Sequence, residues 1–358
     1  MKIALITDTH FGARNDNLVF NEYFYDFWDG VFFPYLKEHN IKHAIHLGDI
    51  MDRRKFGNYN TIHYFRNNFL NVFQEEGIEL DIIVGNHDTY FKRTNEVNSI
   101  GQLVADSYPL IRVHPEPSIQ VFDGRKILFL PWINTENAVR SHKLIESKEA
   151  NVIMGHLELS GFEMYSGHES DKGEDKNRYS DYEMVMTGHY HHRSTKGNIY
   201  YLGSTYEITW HDYGDERGFH IFDTETLELE YIRNPLHMFH KVYYDDSDIE
   251  DGYEHLLFEK YDFDQYRNRY VKVIAEKKNN STLFQRFVDK LHDANPYDLS
   301  IVDSFEMGSV GSSQVGMVED TLSLLYDYIK SMSDINEKEK NRLISLMRTL
   351  NAEALEME

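Results

Sequence analysis

Residues 44–55 read AIHLGDIMDRRK: a short, largely apolar run, then Gly48-Asp49, then polar chain. A run this short, stopped by glycine and a carboxylate, reads as a buried strand whose end carries chemistry. The same figure recurs along the chain. Lys2–Thr7 runs into Asp8-Thr9-His10, and Asp81–Val84 into Gly85-Asn86-His87-Asp88. Asn151–Met154 runs into Gly155-His156, and Glu183–Met186 leads to Gly188-His189-Tyr190-His191. Between the first three strands, Leu18–Lys37 and Thr61–Phe73 mix aromatic and polar residues as helices do, and Glu96–Ser107 reads as a further helix. Ser118–Leu130 alternates with period two on both sides of Asp123-Gly124, a hairpin signal. Phe219–Phe222 and Leu227–Ile232 form a second hairpin around residues 223–226. Glu163–Asp181 is polar and contains glycine, which predicts an exposed loop. Short buried strands alternating with helices predict a layered α/β sandwich.

Pro235 marks a boundary. Residues 236–307 predict a small α/β unit: strand Lys241–Tyr244, an acidic helix-like stretch Ile249–Lys260, strand Val271–Ala275, helix Leu283–His292 and strand Leu299–Val302. Residues 308–316, GSVGSSQVG, have the composition of a flexible linker. The segment 317–358 reads as helical. Val318, Leu322, Leu325, Ile329 and Met332 form one apolar stripe. Asn336 and Glu339 resemble a capping box, and Leu343, Leu346, Met347 and Leu350 form a second stripe. Two short amphipathic helices are marginal alone in water. They therefore either dock on their own domain or fold against another chain; of the two, Leu322, Leu325, Ile329, Leu343 and Leu346 are expected to bind a partner.

The chain has 358 residues, enough for two or three domains at roughly 100–200 residues each. Mean hydropathy is −0.58, and no run of 18 apolar residues exists, so no membrane helix is expected. Asp8 and His10 interrupt the first apolar run too early for a secretory leader. With no cysteine, disulfides, thiolate metal sites and cysteine nucleophiles are excluded, and a cytoplasmic location is expected. Lys and Arg number 37 against 60 Asp and Glu, a net charge of −23. A stand-alone nucleic-acid binder is more often basic. A polyanionic substrate would therefore need cations from bound metal, a partner or a local basic strip.

The strand-end motifs collect Asp8, His10, Asp49, Asn86, His156, His189 and His191. Two carboxylates, an amide and four imidazoles are too many ligands for one ion and suit two ions sharing a carboxylate. Nitrogen and oxygen donors without sulfur favour manganese, iron or zinc. Two such ions about 3.5–4 Å apart can activate water and stabilise both oxygens of an in-line phosphoryl displacement. A lone Asp-x-His or Gly-His is usually a satisfied turn. Five such motifs, each behind an apolar strand, are not.

The order D-x-H, GD, GNHD, GH, GHxH resembles that of the calcineurin-like metallophosphoesterases. GDIMDRRK (48–55), LPW (130–132), GHLELSGF (155–162), GHYHH (188–192), YLGSTYE (201–207) and DERGF (215–219) are most similar to the SbcD family of DNA break-processing nucleases, in its tailed-phage branch. The resemblance is strong over residues 1–235 and looser beyond. It implies a β-sandwich flanked by helices, a small α/β capping domain and a C-terminal helical tail. It also implies two manganese ions. Asp8, His10, Asp49 and His191 would hold one ion, and Asp49, Asn86, His156 and His189 the other, with Asp49 bridging. His87 would stay off the metals and help protonate the leaving 3′ oxygen. The implied activity is 3′–5′ exonuclease on duplex DNA and endonuclease on single strands. The implied partner is an SbcC-like ATPase with a coiled coil, in an assembly of two nuclease and two ATPase subunits. The implied processes are recombination, double-strand-break repair and recombination-dependent replication.

Many relatives carry a histidine where this chain has Asp52, so a helper role at that place is in doubt. Asp88 is expected to orient a neighbour. Arg53, Arg54, Lys92 and Arg93 flank the motif loops and are candidates for DNA phosphates. Tyr59, Tyr90, Phe91 and Trp132 are expected in the core. Two other readings stay open. One is a phosphoesterase of the same superfamily acting on nucleotides or phosphoproteins. The other is a non-catalytic scaffold, which a missing ligand would signal, and none is missing.

Overall fold

The computed structural model describes residues 1–104, 107–165, 167–249 and 253–303, with Ile329, Lys340 and Leu343. The chain divides into two compact units. One is Met1–His240 with Arg267–Tyr270, and the other is Lys241–Tyr266 with Val271–Glu358.

The first unit contains β1 (Lys2–Ile6), β2 (His43–His46), β3 (Glu79–Ile83), β4 (Ile111–His114), β5 (Ser118–Phe122), β6 (Arg125–Leu130), β7 (Val152–His156), β8 (Glu163–Tyr165), β9 (His168–Glu169), β10 (Met184–Gly188), β11 (Ser194–Lys196), β12 (Ile199–Tyr201), β13 (Gly218–Asp223) and β14 (Leu229–Arg233). One sheet has the order β14-β13-β1-β2-β3-β4 and the other β11-β12-β10-β7-β6-β5. The runs β1-β2-β3-β4 and β12-β10-β7-β6 are parallel. Parallel strands are covered on both faces, which is why these read as continuous apolar runs. Ile3, Leu5, Ile45, Leu47 and Ile83 meet Phe129, Val152, Met154 and Met186 between the sheets. Ala4, Ile6, Ala44 and Ile82 turn the other way, onto aromatic residues such as Phe24, Phe27, Trp28, Phe65 and Phe69. These come from two long helical segments, Leu18–Glu38 and Tyr59–Glu75. Each is interrupted by a π-helical turn, Trp28–Phe32 and Arg66–Leu70. The outer face of the second sheet packs Ile153 and Val185 against Ile145, Tyr179 and Tyr182. Four layers result: helix, sheet, sheet, and a further helical and loop layer.

The Asp123-Gly124 hairpin forms as read. Both residues have positive φ, 48° and 80°, and Phe122 pairs with Arg125 across a two-residue turn. The stretch 163–181 is largely exposed, as expected, but it is not loop throughout. It holds the β8–β9 hairpin and a 3-10 turn at Lys176–Tyr179. Phe162 and Tyr179 bracket it as fully buried anchors, so the polar residues decorate a segment pinned at two aromatic points. Strand β4, the helix Ala138–Ser147 and the β11–β12 hairpin are elements the pattern did not show.

The second unit takes β15 (Phe239–Asp245), β16 (Tyr270–Lys277) and β17 (Asp298–Asp303) into a three-stranded sheet in that order. Val242, Tyr244, Val271 and Val273 pack there with Leu283, Phe287 and Leu291 of the helix Ser281–Asp293. Asn280 caps that helix, accepting from the Leu283 amide. The 308–316 linker, Leu322, Leu325 and Leu346 lie outside the described residues. Ile329 is helical and buried, and Leu343 is helical and exposed. Among the described residues no helix is long and apolar enough to cross a membrane.

Candidate metal centre

Strands β1, β2, β3, β7 and β10 all end at one edge of the sandwich, where sites of open α/β sheets gather. Asp8, His10, Asp49 and His189 sit there in left-handed backbone, with φ of 51°, 42°, 57° and 92°. Such conformations cost of order 1–3 kcal/mol each and persist where surrounding structure enforces them. Enforcement is visible. A Cβ on Gly85 would stand 2.2 Å from Asp49 Oδ1, and one on Gly188 would stand 2.0 Å from Thr7 Oγ1. Glycine at both places lets the ligand loops close up.

The structure brings every candidate ligand together. Asp8, His10 and His191 form one group whose donor atoms lie within 4.8 Å of one another, and Asp49, His156 and His189 form another. His10 Nε2 faces His191 Nε2 at 3.1 Å. Asn86 Oδ1 stands 3.0 Å from His156 Nε2 and 2.9 Å from His189 Nδ1. Asp49 Oδ2 reaches towards both groups, 3.3 Å from His156 Nε2 and 3.9 Å from His10 Nε2. His156 Nδ1 donates to the Leu47 carbonyl at 2.8 Å, which leaves Nε2 as the nitrogen for a cation. His87 is half-buried, its Nδ1 2.6 Å from the Asp52 carbonyl and its ring edge-on to His10. The Asp52 carboxylate stands 3.4 Å from His10 Nδ1, at ion-pair distance. Asp88 meets the expectation of an orienting role. Its carboxylate accepts from the backbone amides of Asp49, Ile50, Met51 and Gly85 at 2.9–3.1 Å.

Electrostatics shows what the donor set lacks. Burial pushes the imidazoles of His10 and His156 down, but the surrounding aspartates outweigh it and hold both up at about 9. Burial and the charge on His156 push His189 down to about 3, and burial with His10 holds His191 well below its usual range. Burial also acts to raise Asp49, yet His156 and His87 outweigh it and keep it well below the carboxylate range. Protons on two imidazoles thus supply positive charge among buried carboxylates. Divalent cations fit this donor set, in which imidazole nitrogens and carboxylate oxygens converge.

Several supports carried no recognised signal. His46, fully buried, accepts from the Gly48 amide through Nδ1 at 3.1 Å and meets Thr9 Oγ1 through Nε2 at 3.0 Å, tying the first two ligand loops. Arg217 is buried and donates to the His191 carbonyl and to Ser204 and Asp212. It lies inside the DERGF segment, where a charged residue entering a buried strand was the available clue. Trp132 is not core as expected. It is half-buried, with its ring 5.2 Å from that of His189. Tyr59, Tyr90 and Phe91 are exposed. Arg53 pairs with Asp16 at 2.9 Å, Arg54 donates to Thr89, and Lys92 and Arg93 are exposed.

A strand-end cluster of aspartates, histidines and an asparagine on a two-sheet sandwich defines a class, and the family model names it. The family model described as calcineurin-like phosphoesterase matches residues 1–193, and the chain belongs to that family of phosphoester hydrolases. Exonuclease subunit 1 of Enterobacteria phage T4 is 31% identical over 365 residues, covering 99% of this chain and 99% of that protein. A solved structure of an archaeal phosphodiesterase covers 65% of this chain and all of its own, at 16% identity and a TM-score of 0.33.

Proposed function

We propose that this protein is a two-metal DNA phosphodiesterase, a 3′–5′ exonuclease on duplex DNA and an endonuclease on single strands. The observation that carries this is the pair of donor groups, Asp8/His10/His191 and Asp49/His156/His189, joined by Asp49 in a chain similar throughout to a phage exonuclease subunit. Asp8, His10, Asp49 and His191 would hold one divalent ion, and Asp49, Asn86, His156 and His189 the other, with manganese as the metal. When bound, two such ions activate water and neutralise charge on a phosphodiester in displacement. The chain's own residues do the rest. His87, fixed by the Asp52 carbonyl, carries the proton for the departing 3′ oxygen. Asp52 places its carboxylate beside the His10 ring. Lys92 and Arg93 at the GNHD loop, with Arg53 and Arg54, meet flanking phosphates.

The relative's name marks it as one subunit of an exonuclease, which supports a partner subunit here. The partner we assign is an SbcC-like ATPase, engaged by the 317–358 stripe through Leu322, Leu325, Ile329, Leu343 and Leu346. The complex would hold two copies of each chain and serve phage DNA recombination, break repair and recombination-dependent replication in the host cytoplasm. A net charge of −23 suits a nuclease whose partner supplies much of the DNA-binding surface. The test is the purified chain with manganese, alone and with the ATPase. Release of mononucleotides from duplex 3′ ends and cutting of single-stranded circles are expected. Hydrolysis of nucleotides or phosphoproteins with intact DNA would replace the nuclease by a small-substrate phosphoesterase.

A further inference from the structure

Beside the metal-ligand cluster lies a cleft of about 140 Å³, lined by Trp132, Ile133, His156, Leu157, Glu158 and Tyr179 among others. Its wall is rigid. The Trp132 amide donates to the Val84 carbonyl at 2.8 Å, and its own carbonyl accepts from Asn95 and Asn137 at 2.9 and 3.0 Å. Three hydrogen bonds thus fix the backbone of an aromatic residue whose side chain stays half-buried. Tyr179 is anchored through Glu174, which also meets His142. Glu158 is different. Its side chain is 35% exposed, and its carboxylate stands 4.0 Å from His189 Nε2, too far for a hydrogen bond.

A flat aromatic face with an acceptor at the rim selects a flat ligand with N–H donors on its edge. The Glu158 and Glu174 carboxylates repel phosphate. Since His156 belongs to both the cleft and the metal-ligand group, a ligand there is continuous with a phosphate at the cluster. We infer that the cleft receives the nucleobase of the nucleotide whose phosphate lies at the metal centre. The base stacks on Trp132 and donates an edge N–H to Glu158. This deepens the DNA-phosphodiesterase reading and rests on it.

The test is calorimetric binding of dAMP and of abasic deoxyribose 5-phosphate to the full chain with manganese. Base stacking on an aromatic side chain is worth about 5- to 150-fold in affinity. The expected result is dAMP bound tighter than the abasic probe by that factor. Trp132→Ala should erase the difference and Trp132→Phe should restore most of it. Equal affinity of the wild-type chain for the two probes overturns the inference. So does a difference that survives in a folded Trp132→Ala chain. The two readings fail separately. A chain that cleaves no DNA yet binds dAMP as described loses the nuclease assignment and keeps the base cleft. A chain that degrades DNA and binds both probes equally loses the cleft and keeps the nuclease.

Discussion

The first sheet holds two buried aspartates ringed by histidines, and they are built on opposite plans. Asp81 on β3 meets His43 Nε2 at 2.7 Å, His114 Nε2 at 2.6 Å and the Arg112 guanidinium at 2.9 Å. None of the four is in left-handed backbone. Asp49, a few residues past β2, meets His156 at 3.3 Å and His10 at 3.9 Å, in left-handed backbone. Around Asp81 the chain supplies its own permanent cation and the hydrogen bonds close. Around Asp49 the imidazoles of His10 and His156 hold protons that a metal can replace. A buried carboxylate with histidines is therefore not by itself a metal site; at Asp81 an arginine completes the hydrogen bonding.

The sharpest way to break this contrast is Asp49→Ala. Activity should fall to background and calorimetry should find one ion site lost, because the carboxylate reaches both donor groups. Two full-occupancy ions in that variant would remove the bridging role. Next in size is His87→Ala, expected to keep metal and DNA binding while losing about 10²–10⁴ in rate, the range of a general acid. A substrate with a low-pKa leaving group should recover part of the loss, and a missing metal would make His87 a ligand instead.

Proton release comes third. His10 and His156, held at about 9, carry protons at pH 7 in the metal-free chain and must lose them to ligate. Metal affinity should rise with pH to about 9 and fall below it, by up to about a hundredfold per unit if both protons leave. Titrations in buffers of different ionisation enthalpy count those protons, and a count of zero would contradict the charge balance described. Asp81→Asn is the smallest effect. It should leave manganese-dependent cleavage intact and cost about 3 kcal/mol in denaturant unfolding, the scale of a broken buried pair. Burial acts to raise Asp81, but His114, His43 and Arg112 hold it far below the carboxylate range. Its contribution is therefore present above about pH 4 and lost as pH falls below that. A wild-type stability that does not exceed that of Asp81→Asn at pH 7 would contradict it.

The strand-end ligands were legible because each follows a buried apolar run, and glycine beside them announces close backbone approach. Asp88 was legible for the same reason, one residue past His87. Trp132 was not. Pro131-Trp132 follows an apolar strand, so hydrophobicity alone places it in the core, whereas the hydrogen bonds that hold it beside His189 come from Asn95, distant in sequence, and from Asn137, five residues on. Strand β4 is four residues with Arg112 inside, too short and too polar for a period. Arg112 makes sense once Asp81 is known to lie opposite. The stretch 163–181 hid its anchor Tyr179 among charges for the same reason: Tyr179 packs with Ile145 and Ile153, distant in sequence.

Asp88 has a consequence of its own. One carboxylate gathers amides from Gly85 and from Asp49 to Met51, so the loops that carry Asn86 and Asp49 are stitched into a single body before any ion arrives. The entropy of assembling those ligands is spent when the polypeptide folds, not when the cation binds. Cation exchange at this edge should therefore be a local event, with ions entering and leaving a mould that keeps its form.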